Sequence, residues 1–191
     1  MAKMILKIYL VLSLLLAADI AAYVFYKISL RGYYADIILF WLWISGSIAI
    51  VIAFWKKLWA KLFLGTMISG LILSMLPMGL PFYFLVFATT PAGLWMSKDL
   101  SKDYRAQIVS YSVMVPPWLQ VIQKTGPFEK EILQCRDSQL QNDQMEVRIR
   151  NSKDIIFEKE TDSTITLTLF YGGPNTILTF DKATGKILDQ Q

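Results

Sequence analysis

Residues 8–26 read IYLVLSLLLAADIAAYVFY and residues 36–55 read DIILFWLWISGSIAIVIAFW. Each run is bounded by charge and is otherwise apolar or hydroxylic, apart from Asp19 in the first. An α-helix rising ~1.5 Å per residue over such a length just covers a ~30 Å hydrocarbon core. A helix on the surface of a soluble domain carries a polar face, and neither run has one. These two stretches decide the fold class: an α+β membrane protein whose N-terminal half lies in lipid.

Working outward, the two spans are joined by KISLRGYYA, and the second is followed by the basic segment Lys56-Lys57-Leu58-Trp59-Ala60-Lys61. Trp41, Trp43, Trp55, Trp59, Tyr33 and Tyr34 cluster toward span ends, as interfacial aromatics do. No charge then occurs between Lys61 and Lys98. As one straight helix that run would be ~50 Å long, and Pro77, Gly79 and Pro81 break it. Two foldings satisfy these constraints. In the first, a kinked third span covers about residues 62–87 and residues 88–95 lie at the interface. In the second, Pro77–Pro81 is a tight turn and a fourth span runs back to Trp95. Three crossings are expected, because a fourth would be short and would end in Thr89-Thr90-Pro91-Ala92-Gly93, poor helix chemistry.

Charge distribution orients these spans. Residues 1–97 hold seven Lys and Arg against Asp19 and Asp36, a net +5, whereas residues 98–191 hold 12 basic and 13 acidic residues, a net −1. Lys3, Lys7, Lys56, Lys57 and Lys61 fall on one side of the membrane, Lys27 and Arg31 on the other. The positive-inside rule places the N-terminus in the cytoplasm. Three spans put residues 98–191 outside the cytoplasm, and four would keep them inside. Lys98, Lys102 and Arg105, just after the last apolar residue, lean toward four. The first span reads as an uncleaved anchor, since its apolar run continues through Tyr23-Val24-Phe25 past any signal-peptide site.

Asp19 is the one ionisable residue deep inside a span. Burying its charge at mid-bilayer would cost about 2.5–3.5 kcal/mol, so a polar partner is expected. Ser45 and Ser47 on the second span and Ser69 on the third are the candidate members of an intramembrane polar seam with Asp19. The seam reads more readily as an interhelical clamp than as a proton or cation site, because a proton path needs a chain of polar groups. A transport subunit built on Asp19 is the minor reading.

From Tyr104 onward the text reads as successive β-branched and aromatic runs separated by turns, and Gln144–Arg150 and Thr164–Tyr171 alternate at period two, the mark of half-buried antiparallel strands. The strands are expected at Tyr104–Val115, Trp118–Gln123, Phe128–Cys135, Gln144–Arg150, Ile155–Lys159, Thr164–Tyr171, Thr176–Phe180 and Ile187–Leu188. Helical periodicity is visible only at Glu131–Gln141. Residues 98–191 thus read as a small antiparallel β domain, a meander closed into a barrel or sandwich.

The motifs that carry chemistry are few. The chain has no histidine and one cysteine, Cys135. Histidine is the commonest general base and a frequent metal ligand, and one cysteine makes no intramolecular disulfide. There is no Gly-rich phosphate loop and no zinc spacing. Glu129 with Glu131, and Glu158 with Glu160, sit two apart on strands and share a face, as a carboxylate pair for glycoside hydrolysis would. With Lys130 and Lys159 beside them they read as solvated surface. The soluble half carries no basic patch of the kind that binds nucleic acid. No cofactor is implied, and an enzyme is not expected.

The segment FDKATGKIL, residues 180–188, resembles the Asp-x-x-Thr-Gly hairpin found in many unrelated β domains and marks a turn. The whole layout resembles that of small bacterial multi-span proteins with a C-terminal β module, which implies a multi-pass protein of the inner (cell) membrane. The expected role is non-catalytic: the lipid bilayer holds the chain, and the β domain binds a protein partner in envelope assembly or immunity. The alternatives are lipid or small-ligand binding by the β domain and ion- or proton-coupled transport through Asp19.

Overall fold

The computed structural model describes residues 2–76, 79–140, 148–173 and 175–190. The chain divides into two compact units, the first ending at Pro91 and the second beginning at Ala92. The division falls before the residue 97/98 boundary read from charge, because strand structure starts at Leu94.

The first unit is helical. Helix α1 (Ala2–Tyr26) is followed by a short extended segment, β1 (Ile28–Leu30), then α2 (Tyr33–Ala53), α3 (Leu58–Met75) and α4 (Leu80–Thr89). Three of these, α1, α2 and α3, are long and apolar enough to cross a membrane. Their surfaces agree with that solvent: Leu14, Ile52 and Leu73 are 72, 71 and 62 % exposed, a distribution that water would penalise and lipid would not. At one level the three helices lie side by side, where the Tyr9 ring stacks on Trp43 at 6.3 Å and meets Phe63 edge-on at 6.2 Å.

The third apolar stretch differs from the single kinked helix expected over residues 62–87. Helix α3 stops at Met75, and a separate ten-residue helix, α4, begins at Leu80. Gly79 makes the break with φ 68°, a conformation that costs residues with a Cβ. Its N–H still donates to Met75 O at 3.0 Å, and its carbonyl accepts from Tyr83 N–H at 2.9 Å. Pro77, which was expected to share the break, lies outside the described residues. At ~15 Å, α4 is too short to cross the bilayer core. Its C-terminal end is fastened to the first half of α2: Trp41 Nε1 donates to Thr89 O at 2.8 Å, and the Tyr33 hydroxyl to Thr90 O at 3.3 Å.

The second unit is a β-sandwich. One sheet contains the meander β2 (Leu94–Asp99), β3 (Tyr104–Val109), β4 (Trp118–Thr125) and β5 (Phe128–Cys135). The other runs β6 (Asp154–Glu160), β7 (Thr164–Phe170), β8 (Thr176–Asp181) and β9 (Ile187–Gln190), each pair antiparallel. Alternate residues of both sheets point into one core that includes Ala106, Leu119, Leu133, Ile155, Leu167 and Phe180. Lys98 on edge strand β2 grips both Asp154 oxygens on edge strand β6 at 2.8 and 2.7 Å, closing one side of the sandwich.

Three expectations here are corrected. The stretch read as Glu131–Gln141 is not an α-helix over its described residues, 131–140: Glu131–Cys135 completes β5, and Asp137–Gln139 is one 3-10 turn. Ile149–Asn151 is likewise a 3-10 turn, not the end of a strand, although Ile149 is buried as its alternation implied. The rest of that strand, residues 144–147, lies outside the described residues. The strand read as Tyr104–Val115 ends at Val109, and residues 110–117 form a loop.

Candidate functional site

Two polar constellations stand out, one in each unit. In the helical unit, Ser13 Oγ donates to Tyr9 O at 2.9 Å and accepts from Trp43 Nε1 at 3.1 Å. Ser47 Oγ donates to Trp43 O at 2.9 Å and lies 3.2 Å from the Tyr9 hydroxyl. Tyr9, Ser13, Trp43 and Ser47 therefore clasp α1 to α2 by reciprocal hydrogen bonds. Gly46 allows the approach: a Cβ there would stand 3.2 Å from Tyr9 Cδ2. Small residues at such a crossing let helices close in lipid, and hydroxyls satisfied across it hold them.

Of the residues read as a seam, only Ser47 sits in this clasp, where it is fully buried. Ser45 and Ser69 are exposed. Ser45 and Ser47 differ by ~200° around a helix, so one contact face cannot take both. Asp19 lies about three turns from Tyr9, half-buried. The Leu30 amide stands within hydrogen-bonding reach of its carboxyl, and the same amide donates to Asp36 Oδ1 at 3.3 Å. The two acidic residues of the unit thus converge on the α1–α2 connection, where Lys27 turns the chain with φ 57°. Carboxylates anchored on a backbone N–H brace a turn, and Asp19 belongs to that brace and not to the hydroxyl clasp. The clasp was missed because Trp43 reads as an interfacial aromatic and Tyr9 sits unmarked inside the apolar text of the first span. The available signal was Gly46 facing an aromatic on a neighbouring span.

In the β unit, the face of β3–β4–β5 turned away from the core is polar and yet buried. The register pairs Gln107 with Gln120 and Arg105 with Ile122. Gln107 Nε2 donates to Gln120 Oε1, and Gln120 Nε2 to Glu131 Oε2, each at 2.9 Å. The Tyr111 hydroxyl is 3.4 Å from Gln120 Nε2. Arg105 meets Glu129 Oε2 at 2.6 Å, with side chains only 12 and 3 % exposed. Arg105 Nε and Gln107 Oε1 are buried and find no hydrogen-bond partner among the described residues.

Glu129 and Glu131 do share a face, but they are not the solvated surface expected of them. Each is engaged by a cross-strand partner, Arg105 and Gln120. The second pair does lie at the surface, with Glu158 and Glu160 exposed and Glu160 held by Lys182 at 2.7 Å. Cys135 is buried, and desolvation, with Asp137 nearby, pushes its thiol up to about 12. It is therefore a core thiol at neutral pH, not a thiolate. Burial also raises the Tyr171 hydroxyl well above the usual phenol range. Among the described residues no three His, Cys, Asp or Glu side chains group as metal ligands.

The FDKATGKIL hairpin is built from its own side chains. Asp181 Oδ1 accepts from Ala183 and Thr184 N–H at 2.7 and 2.9 Å, which holds its carboxyl below the usual range. Gly185, at φ 66°, donates to Asp181 O at 2.8 Å. No protein-family model, curated protein or solved structure matches this chain.

Proposed function

We infer that the chain is a three-span membrane protein that presents its β-sandwich at the membrane surface to bind a protein partner. Lys3, Lys7, Lys56, Lys57 and Lys61 flank one end of the α1–α3 bundle, and the positive-inside rule makes that end cytoplasmic. Helix α3 advances ~18 Å from Phe63, level with Trp43 and Ser47, to the level where α2 starts. The end of α4 is tied to the same half of α2, through Tyr33 at its start and Trp41 about two turns on. Entry and exit of α4 in the same half of the bundle favour three crossings, with the β domain outside the cytoplasm of a bacterial inner membrane.

The observation that carries partner binding is the outward face of β6–β9. Ile156, Thr168 and Ile177 align across three strands, Thr166 and Thr179 bond to each other at 3.2 Å, and Phe170 and Ile177 remain exposed beside a buried Thr168. Beside them β9 ends the strand order, with Leu188 exposed. A flat Thr/Ile face next to a short edge strand suits an extended segment of a partner added by strand pairing. A photo-crosslinking residue placed at Ile177 or Leu188 should trap a discrete protein adduct in native membranes, and the same residue at Lys102 should not. Equal, diffuse labelling from all three positions would refute the assignment.

A further inference from the structure

Between β3 and β4 the chain runs SYSVMVPP, residues 110–117, without a charge. Val113, Met114 and Val115 are 67, 67 and 45 % exposed. Exposed apolar residues on soluble domains are normally scattered singly, and a consecutive triple is not. The loop is held in shape: Ser110 Oγ donates to Ser112 O at 2.9 Å, and Met114 N–H to Ser112 Oγ at 3.2 Å.

Two observations say what covers this tip. Ser110 N–H donates to Gly93 O at 2.7 Å, and Leu94 pairs with Val109. The tip therefore belongs to the end of the sandwich at which the chain enters, two residues after Pro91, where the helical unit ends. That same end is ringed by interfacial chemistry. Trp118 packs edge-on to Tyr111 at 5.4 Å, Arg136 lies 4.4 Å over the Trp118 ring, and Arg150 lies 5.5 Å over the Trp95 ring. Trp and Tyr occupy the headgroup level of bilayers, and Arg there meets anionic headgroups. Among the described residues the nearby carboxylates are engaged: Asp137 accepts from Ile149 N–H at 2.7 Å, and Glu131 from Gln120 Nε2 at 2.9 Å.

We propose that Val113-Met114-Val115 is a second membrane contact, inserted among lipid headgroups and upper acyl chains, that docks the sandwich on the bilayer that anchors it. The contact rests on the membrane spans and not on the protein partner. Its depth is that of an interfacial element, ~5–10 Å into the headgroup boundary.

The test uses the full chain in proteoliposomes of phosphatidylcholine and phosphatidylglycerol, with an environment-sensitive fluorophore on a Met114→Cys variant. Nitroxide on the upper acyl chain should remove roughly half or more of the emission, as expected for an interfacial depth, while aqueous iodide should quench weakly. Adding Val113→Glu and Val115→Glu should reverse that ranking. A probe at Phe128→Cys, on the opposite end of β5, should follow iodide throughout. A probe at Ile72→Cys on α3 should be quenched by lipid in every case, which separates failure of the loop contact from failure of the spans. Quenching of the Met114→Cys probe by iodide, or protection from both quenchers by a protein, overturns the proposal.

Discussion

Replacing Arg105 by Met should destabilise the β-sandwich far more than removing the same charge from its surface. The guanidinium sits 2.6 Å from Glu129 Oε2, and the partner side chain is 3 % exposed. Removing Arg105 leaves Glu129 as a buried, unpaired carboxylate, a change that costs about 3–5 kcal/mol. Glu129→Leu strands Arg105, but that side chain keeps 12 % exposure and can reach water, so its cost falls at the lower end. The double variant removes both charges and also the orphaned Arg105 Nε, and should lie within about 1 kcal/mol of the parent. The pair would therefore show a coupling of roughly 5 kcal/mol or more, far above the ~0.5 kcal/mol of independent sites. The assay is hydrogen exchange at Leu119 and Val121 on β4 in the detergent-solubilised full chain. At 1.4 kcal/mol per decade, the single variants should exchange about 100- to 4,000-fold faster. Single variants near the parent rate, with an additive double, would show an exposed pair and refute the buried polar layer.

Four further outcomes follow from the same geometry. Cys135, buried with its thiol pushed up to about 12, should resist maleimide at neutral pH in the folded chain and react fully in denaturant; fast labelling of the native state would contradict its place in the core. Gly185→Ala meets both a positive φ and Ile132 O at 2.9 Å from the new Cβ. It should cost about 1–2 kcal/mol for the left-handed backbone alone, read as a lowered melting temperature, whereas Gly126→Ala, with open space around it, should pay only the backbone term. Hydrogen bonding from Lys98 lowers the Asp154 carboxyl, so its contribution is full above the ordinary carboxylate pKa and fades as pH falls through the folded value. Asp154→Asn should accordingly be less stable than the parent at neutral pH, by under about 1 kcal/mol for so exposed a pair, with the gap closing in acid; a gap that widens in acid would reverse the sign. Gly46→Leu should push Tyr9 off α2 and loosen the α1–α2 pair in a disulfide-trapping assay, while Ser45→Leu, on the exposed face, should leave it intact.

The first two spans were legible because charges bracket uninterrupted apolar text, and lipid admits few other solutions for such text. The break near Gly79 was legible too, but not its outcome, since hydropathy records that a segment is apolar and not which way it turns. Strand β2 escaped notice for a related reason: Leu94-Trp95-Met96 continues the apolar run of the membrane half. Strand β7 followed from period-two alternation, which tracks a single core face directly, and β6, β8 and β9 from the turn residues that bracket them. The buried polar layer was hidden because Glu129-Lys130-Glu131 looks like ordinary surface, and its partners Arg105 and Gln120 arrive from other strands. In the helices, Ser45 and Ser47 have the same composition, and only the helical angle separates the exposed hydroxyl from the buried one. Asp19 was identifiable as needing a partner; that its partner is the backbone of the following loop depends on the Lys27 reversal, which carries no composition signal.

The most direct test is the side of the membrane reached by each end of the chain. Compartment-specific reporters fused before Met1 and after Gln191 should be active on opposite sides, with the N-terminal one cytoplasmic. Both reporters active in the cytoplasm would mean that α4 helps to recross the bilayer, and the three-span account with its outward-facing sandwich would be wrong.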